Sequence, residues 1–342
     1  MKSKGLVALL LVTTAAVIVA VLGSLGGDGN GGRADPKVDQ PVLPVLAQHL
    51  PDAARVSLVH GANKTTLVRA EGKWVVEEKS NYPANMAEVT QVLVGLADLH
   101  YVEPKTQKPD LYPRLEVEDA GKPDGKSTLV TVSDPKGQPL GEIIAGKEGI
   151  DQLGGGSDGI YIRMPGDAQA WLARGTVKLP EDTNGWLDRS IVDVPRETVR
   201  EVVLTQPDGN KLDIARDKPD DKLALKDAPA ETKLKSDTVL VEPTTALASL
   251  TLSDVRPAAE IPSDGAVHGE VSTFDGLTVA FTLVDKDGKS WIHLEASGTG
   301  DAAKKADTLN LKLKPWAYAI PDYKAKILRT KLADVIAVPK PS

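Results

Sequence analysis

From about residue 52 the chain alternates. The run "ARVSLVHGANKTTLVRAEGKWVVEE" places apolar residues at every second position, interrupted at Gly61-Ala62-Asn63 and Glu71-Gly72-Lys73. Period two with turn residues between the runs predicts three short strands. The period then changes. In "ANMAEVTQVLVGLADL", Met86, Val89, Val92, Leu93, Leu96 and Leu99 recur at helical spacing, which predicts a helix with one buried stripe. Two hairpins follow. "TLVTVSDPKGQPLGEIIAG" turns at Asp134-Pro135-Lys136-Gly137, and "GIYIRMPGDAQAWLARG" forms the second.

From about residue 198 the same order returns. "REVVLTQPDGNKLDIARDKPDDKLAL" turns at Pro207-Asp208-Gly209-Asn210. A second helix is expected in "SDTVLVEPTTALASLTL", less regular because Pro243 interrupts it. The exits match: Leu99, Val102 and Pro104 of "LHYVEP" pair with Leu252, Val255 and Pro257 of "LSDVRP". "LTVAFTLVDKDGKSWIHLEA" turns at Asp285-Lys286-Asp287-Gly288, and "TLNLKLKPWAYAI" answers the last hairpin, with Tyr318 in the place of Trp171. The expected fold is α+β: two tandem, divergent repeats of an antiparallel sheet with a packed helix. Between them lies "NGWLDRSIVDV" (184–194), whose counterpart is "KILRTKLADVI", with Leu187, Ile191, Asp193 and Val194 against Leu328, Leu332, Asp334 and Val335. Asp188-Arg189 changes between the two while the apolar frame stays. That marks a joint, with Trp186 and Ile191 packed and Asp188-Arg189 on the rim.

The N-terminus sets the expected compartment. Lys2 and Lys4 precede an uncharged run from Gly5 to Gly27, 23 residues that reach ~35 Å as a helix. A transmembrane helix there, with the basic end cytoplasmic, puts the rest outside the cytoplasm, in the periplasm if the cell is bacterial. The rival is a cleaved signal, with weak sites at Val21-Leu22-Gly23 or Ser24-Leu25-Gly26 and a soluble periplasmic product. The expected partition is an anchor over 1–27, a flexible linker and short helix over 28–48, a first module over 49–195 and a second over 196–342. The short helix is "PVLAQHLP", with Pro44 at its first position and Pro51 at its stop.

Composition narrows the options. A net charge of −7 without a Lys/Arg block argues against nucleic acid as a partner. With no cysteine, the chain has neither disulfides nor a Cys nucleophile, and an exported domain must rely on its core.

The ordered string "GKWVVEEKSNYPANMAEVTQVLVGLADL", then a hairpin, "GIYIRMPGDAQAWLA" and "WLDRSIVDV", resembles a bacterial family known as a domain of unknown function, DUF4340, over roughly 55–235. "DLYPRLEVEDAGKP" stands where the family has a Gly-containing element, with Arg114 at the Gly. The resemblance implies envelope proteins, often encoded beside gliding-type ABC-transporter components. It brings no catalytic residues.

Formal motifs read as structure. Gly27, Gly29 and Gly32 spell G-x-G-x-x-G without the strand and helix that a dinucleotide site needs. "GEIIAGKE" (141–148) has Glu148 where a phosphate loop needs Ser or Thr, and reads as a strand. Ser157 in "GGSDG" precedes a strand instead of following one, the reverse of a nucleophile elbow. "SDPK" (133–136) fills a hairpin turn, as does Asn63 of "NKT", and "DKPDDK" (217–222) reads as solvated turns. His49, His60, His100, His268 and His293 lack ligand spacing or a close carboxylate. Trp74, Trp186, Trp291 and Trp316 read as core anchors. No residue is assigned a catalytic, cofactor-binding or metal role, and no cofactor is implied. The expectation is a non-enzymatic auxiliary or scaffold subunit of an ABC-type export system. It would be held in the inner membrane by residues 5–27 and partnered by transporter or other envelope proteins. The alternative is an envelope glycan- or lipid-binding protein or hydrolase with its site between the modules.

Overall fold

The computed structural model describes residues 35–149, 159–226, 228–229 and 232–337. The proposed anchor, the glycines 27, 29 and 32, and Ser157 lie outside the described residues. Among the described residues no helix is long and apolar enough to cross a membrane.

The described chain is mostly strand with a few helices, an α+β fold. After α1 (Pro44–His49), the first half forms β1 (Arg55–His60), β2 (Asn63–Ala70), β3 (Lys73–Val76) and β4 (Tyr82–Pro83). Then come α2 (Met86–Ala97), β5 (His100–Thr106), the single turn α3 (Tyr112–Leu115), β6 (Thr128–Ser133), β7 (Pro139–Gly149), β8 (Gly159–Arg163) and β9 (Ala170–Arg174). Its strands order as β4-β3-β2-β1-β6-β7-β8-β9-β5, antiparallel throughout. The pleat follows the pattern in the sequence: β6 buries Thr128, Val130 and Val132 and turns the residues between them outward. "GEIIAGKE" lies inside β7.

β10 (Ser190–Val192) leads into the second half: β11 (Val199–Thr205), β12 (Lys211–Ala215), β13 (Ala224–Leu225), β14 (Leu250–Thr251), β15 (Asp254–Pro257), β16 (Val267–Thr273), β17 (Leu277–Lys286) and β18 (Lys289–Gly298). The chain ends with α4 (Asp301–Leu313), β19 (Trp316–Ile320), α5 (Asp322–Leu328) and α6 (Leu332–Val335). The second sheet orders as β13-β12-β11-β16-β17-β18-β19-β15. Counted from β1 and from β11, its eight strands follow the order of the first sheet except that the fourth, β14, pairs with β10 instead of joining the sheet. The β17–β18 turn closes over Asp287-Gly288, with φ 53° and 73° at the two residues, the left-handed pair that a tight hairpin requires.

Each sheet ends on an edge strand that carries a proline, Pro104 in β5 and Pro257 in β15. Proline lacks the donor that a further strand would need, so both edges are blunted. Opposite these prolines stand Trp171 and Trp316. Register across the sheets pairs Trp171 with Ile162 and Tyr318 with Ile292, so the two stand at like places, as expected, while register shifts in the β5–β9 ladder bring Trp171 opposite Pro104.

Two expectations change. "SDTVLVEPTTALASLTL" makes only a short 3-10 turn at Glu242–Thr245, because Pro243 cannot donate inside an α-helix. "TLNLKLKP" is not a strand but the end of α4. Its Leu309, Leu311 and Leu313 alternate, yet Ala302, Ala306 and Leu313 bury one helical stripe and Leu311 faces water. Alanine, lysine and leucine all favour the helix. Asn310 fixes it to β18, its side chain donating to the Ala296 carbonyl and accepting from the Ala296 amide, both at 2.8 Å. α2 forms as expected, with Asn85 accepting from the amides of Ala87 and Glu88 at its start.

The stretch expected as linker is packed from residue 39 onward. Val42, Leu43 and Leu46 enter the core, and the Val42 amide donates to the Leu99 carbonyl at 2.8 Å. One apolar cluster includes these residues, both sheets and the segment between the halves.

Candidate functional site

Long-range polar and aromatic contacts cluster where the halves meet. Three stretches build the joint: residues 77–85, residues 182–194, and β14–β15 with Lys289, Lys312, Trp316 and Tyr318.

Asp182 accepts from the Gly185 amide and starts a 3-10 turn over Thr183–Trp186. The turn drives Trp186 and Leu187 into the core; the two are 1% and 0% exposed. The Asn85 amide donates to the Trp186 carbonyl at 2.8 Å and the Asp188 amide to the Pro83 carbonyl at 3.0 Å, around a bridge between Ala84 and Leu187. β10 then pairs with β14 of the second half. Trp186 and Ile191 are buried as expected. Asp188 is half-buried, paired with Lys312 at 3.1 Å, and Arg189 is exposed.

The same hydrogen bonds recur in the second half, but not where the apolar alignment put them. There the Lys235 amide donates to the Val335 carbonyl (3.0 Å) and the Ala337 amide to the Lys233 carbonyl (2.7 Å), around a bridge between Leu234 and Ile336. By these hydrogen bonds Val335 stands as Trp186 does and Ile336 as Leu187 does, while Leu328, matched to Leu187 by apolar spacing, lies in α5.

An ion lock spans the joint. Lys79 Nζ donates to Asp254 Oδ1 at 2.6 Å, and Lys289 Nζ to Asp254 Oδ2 at 2.7 Å. Asp254 also accepts from the Val255 amide. Burial alone would raise its pKa, but the two ammonium groups and the amide outweigh burial and hold the carboxyl below its usual range. Beside it, the Tyr82 ring meets Trp316 edge-on, centroids 5.1 Å apart, and Tyr318 at 6.3 Å. Tyr82 Oη donates to the Asp188 carbonyl and Tyr318 Oη to the Lys312 carbonyl. Burial pushes both phenols well above their ordinary pKa. On the far side, buried Lys324 donates to the Thr245 and Ala248 carbonyls at 2.9 and 2.7 Å, and burial lowers its pKa. A carboxylate held between two ammonium groups with its amide bond made is suited to fixing geometry, not to transferring protons.

A second polar region lies on the outer face of the second sheet. His268, Thr282 and His293 form one row across β16–β17–β18, and Glu270, Ala280 and Glu295 the next. The small Ala280 leaves a cavity of about 470 Å³ between the two carboxylates. His293 has its pKa lowered by burial, and its Nε2 has no partner. Glu295 is paired with Lys314 at 2.6 Å. Among the described residues no three His, Asp or Glu side chains converge as a metal-binding group. His49, contrary to expectation, has a carboxylate neighbour: exposed Asp52, 3.1 Å away.

The sequence pointed to Trp186 and Ile191 but not to Lys79, Tyr82, Asp254 or Lys312. Asp254 pairs with a lysine 175 residues away, and Asp188 with one 124 residues away, separations that no periodicity reports. A signal did exist for Asp254: an acid in the short run leading to the edge proline, where Tyr101 stands in the first half.

No curated protein matches the chain. Residues 74–266, more than half of the chain and including Tyr82, the 182–194 segment and Asp254, match the family model described as a domain of unknown function (DUF4340), and the chain belongs to that family.

Proposed function

We propose that this is a membrane-anchored envelope protein made of two copies of one module, and that it serves as a non-enzymatic auxiliary or scaffold subunit of an ABC-type export system. The duplication is supported by the common strand order and by the repeated pair of hydrogen bonds around Ala84–Leu187 and Leu234–Ile336. The scaffold role rests chiefly on the joint. Its carboxylate shared by two lysines and its edge-to-face aromatics link the two sheets, and the family match runs across it. A body that must present two surfaces at a fixed spacing needs such a joint, whereas a hinged enzyme would need a looser one. The anchor over residues 5–27 and the transporter partner come from the N-terminal sequence and the family resemblance.

The test is purification from bacterial membranes in mild detergent. Transporter subunits should copurify with the native chain, and the yield should fall when Asp254→Ala and Tyr82→Ala loosen the joint. Recovery of the chain alone would count against the role.

A second reading, a glycan- or amine-binding envelope protein, is favoured by one feature, the cavity between Glu270 and Glu295. It lies within the second half instead of between the modules. Calorimetric titration with amino sugars, in which Glu270→Gln removes any heat seen with the native chain, would establish it.

A further inference from the structure

The two sheets differ on the faces turned away from their shared core. In the first sheet that face is covered. Tyr112 and Val117, from the segment between β5 and β6, pack on Ile144, Tyr161 and Leu172. Arg163 holds this cover in place and is 4% exposed. Its Nε donates to the Val117 carbonyl at 2.8 Å, its Nη1 to the Asp167 carbonyl at 3.0 Å, and its Nη2 pairs with Asp119. Ile162 and Ile292 stand at like places in the two sheets, so the next residues, Arg163 and His293, do too. In the second half the cover is shorter: residues 258–266 join β15 to β16, against 107–127 between β5 and β6. The Ile261 carbonyl accepts from the His293 ring as the Val117 carbonyl accepts from Arg163, but an imidazole has no fork with which to reach further. Beside His293 lies the cavity of about 470 Å³.

We propose that this cavity binds a ligand through a single cationic group, an ammonium or guanidinium, which Glu270 holds as Asp119 holds Arg163. The inference rests on the second reading of the function and names which of its two ligand classes the cavity takes. Glu270 has no ion-pair or hydrogen-bond partner among the described residues. Glu295, in the same row across Ala280, already carries the Lys314 ammonium at 2.6 Å. That pair shows how a carboxylate of this rim takes a cation. The other lysine lining the cavity, Lys211, is paired with Asp213 at 2.8 Å, so Glu270 supplies a negative charge that nothing balances. Donors and acceptors point the same way. The His293 nitrogen that meets Ile261 carries the hydrogen, because a carbonyl only accepts. Burial keeps the ring neutral, so Nε2 is a lone pair, and it is buried without a donor. Thr282 stands between the two histidines, its hydroxyl 3.3 Å from His268 Nδ1. A carboxylate and lone pairs in want of donors select a hydrogen-rich cation, whereas a neutral sugar leaves the charge unanswered.

The five histidines give the readout. Imidazole proton signals of the full chain, assigned by single substitutions, are followed by NMR at fixed neutral pH. Glucosamine, 1,5-diaminopentane and glucose are added in turn. Both amines should shift the His268 and His293 signals, half-saturating below ~10 mM, and leave those of His49, His60 and His100 in place; glucose should move none. Glu270→Gln, an exposed change without partners to lose, should weaken both amines about tenfold or more. Equal shifts with glucose would overturn the cation and leave a glycan site standing. Silence with all three ligands sinks the cavity as a site altogether. An amine response that survives Glu270→Gln places the cation elsewhere and overturns the proposal as well.

Discussion

Two tryptophans that face the edge prolines are covered in different ways. Trp171, opposite Pro104, is covered by Tyr101 of its own sheet, with centroids 4.9 Å apart at 62°. Trp316, opposite Pro257, is covered by Tyr82 of the other half, at 5.1 Å and 83°. Three residues before each proline the chain has Tyr101 in one case and Asp254 in the other. A tyrosine there closes the sheet locally. An aspartate leaves the tryptophan for a neighbour to cover and offers that neighbour's lysine a buried partner. One residue type at one edge position thus separates a terminal end from a joining end. The same distinction appears in repeat architectures, where terminal units differ from internal ones because they meet water.

The comparison can be broken most severely at Tyr82. Tyr82→Ala should cost about 3–5 kcal/mol, the range for emptying a large buried aromatic site, and should separate the unfolding of the two halves into distinct calorimetric transitions. Tyr101→Ala should lower stability by a similar amount while the transition stays single. If both variants unfold alike, the joint and the sealed end do not differ as described.

Asp254→Ala comes next. Removing the shared carboxylate leaves Lys79 and Lys289 facing each other, and a loss of about 2–3 kcal/mol is expected in urea unfolding. The pH dependence has a definite sign. The native Asp254 carboxyl lies below its unfolded value, so its stabilisation is complete above the usual carboxylate range and is lost as pH falls through the depressed native value. The acid limb of stability against pH should flatten in Asp254→Asn. An unchanged limb would show that the two lysines do not hold the carboxylate in solution.

A smaller effect is expected at Asn85. Asn85→Ala removes the acceptor for the first amides of α2 and should cost ~1 kcal/mol by thermal denaturation, without uncoupling the halves. Smallest is Asp188→Ala with Arg189→Ala. The Asp188–Lys312 pair is partly exposed, so the double change should cost less than ~1 kcal/mol and leave a single transition. Loss of a measured activity in that folded variant would make the pair functional and not part of the rim.

Much of the fold could be read from residue pattern because strands and tight turns are local. The β6–β7 and β17–β18 hairpins and the Val89, Val92, Leu93 and Leu96 stripe of α2 stand where the pattern put them, whereas Met86 of the same spacing is exposed. Errors arose where two local patterns fitted the same letters. Leu309, Leu311 and Leu313 satisfy alternation, and only the stripe continued from Ala302 and Ala306 shows the helix. The mismatch of Leu187 with Leu328 has the same origin, since apolar spacing recurs in many segments while a pair of backbone hydrogen bonds does not.

By itself, then, the sequence determined the α+β class, most of the strands and tight turns, the α2 helix and the packing of Trp186 and Ile191, all properties of neighbours within a few residues. Only the tertiary structure decided which ends of the two sheets meet. That choice depends on Lys79 meeting Asp254 and Tyr82 meeting Trp316 across most of the chain. Such contacts form because burial makes an unpaired carboxylate or an uncovered aromatic ring costly, and they leave no period in the sequence.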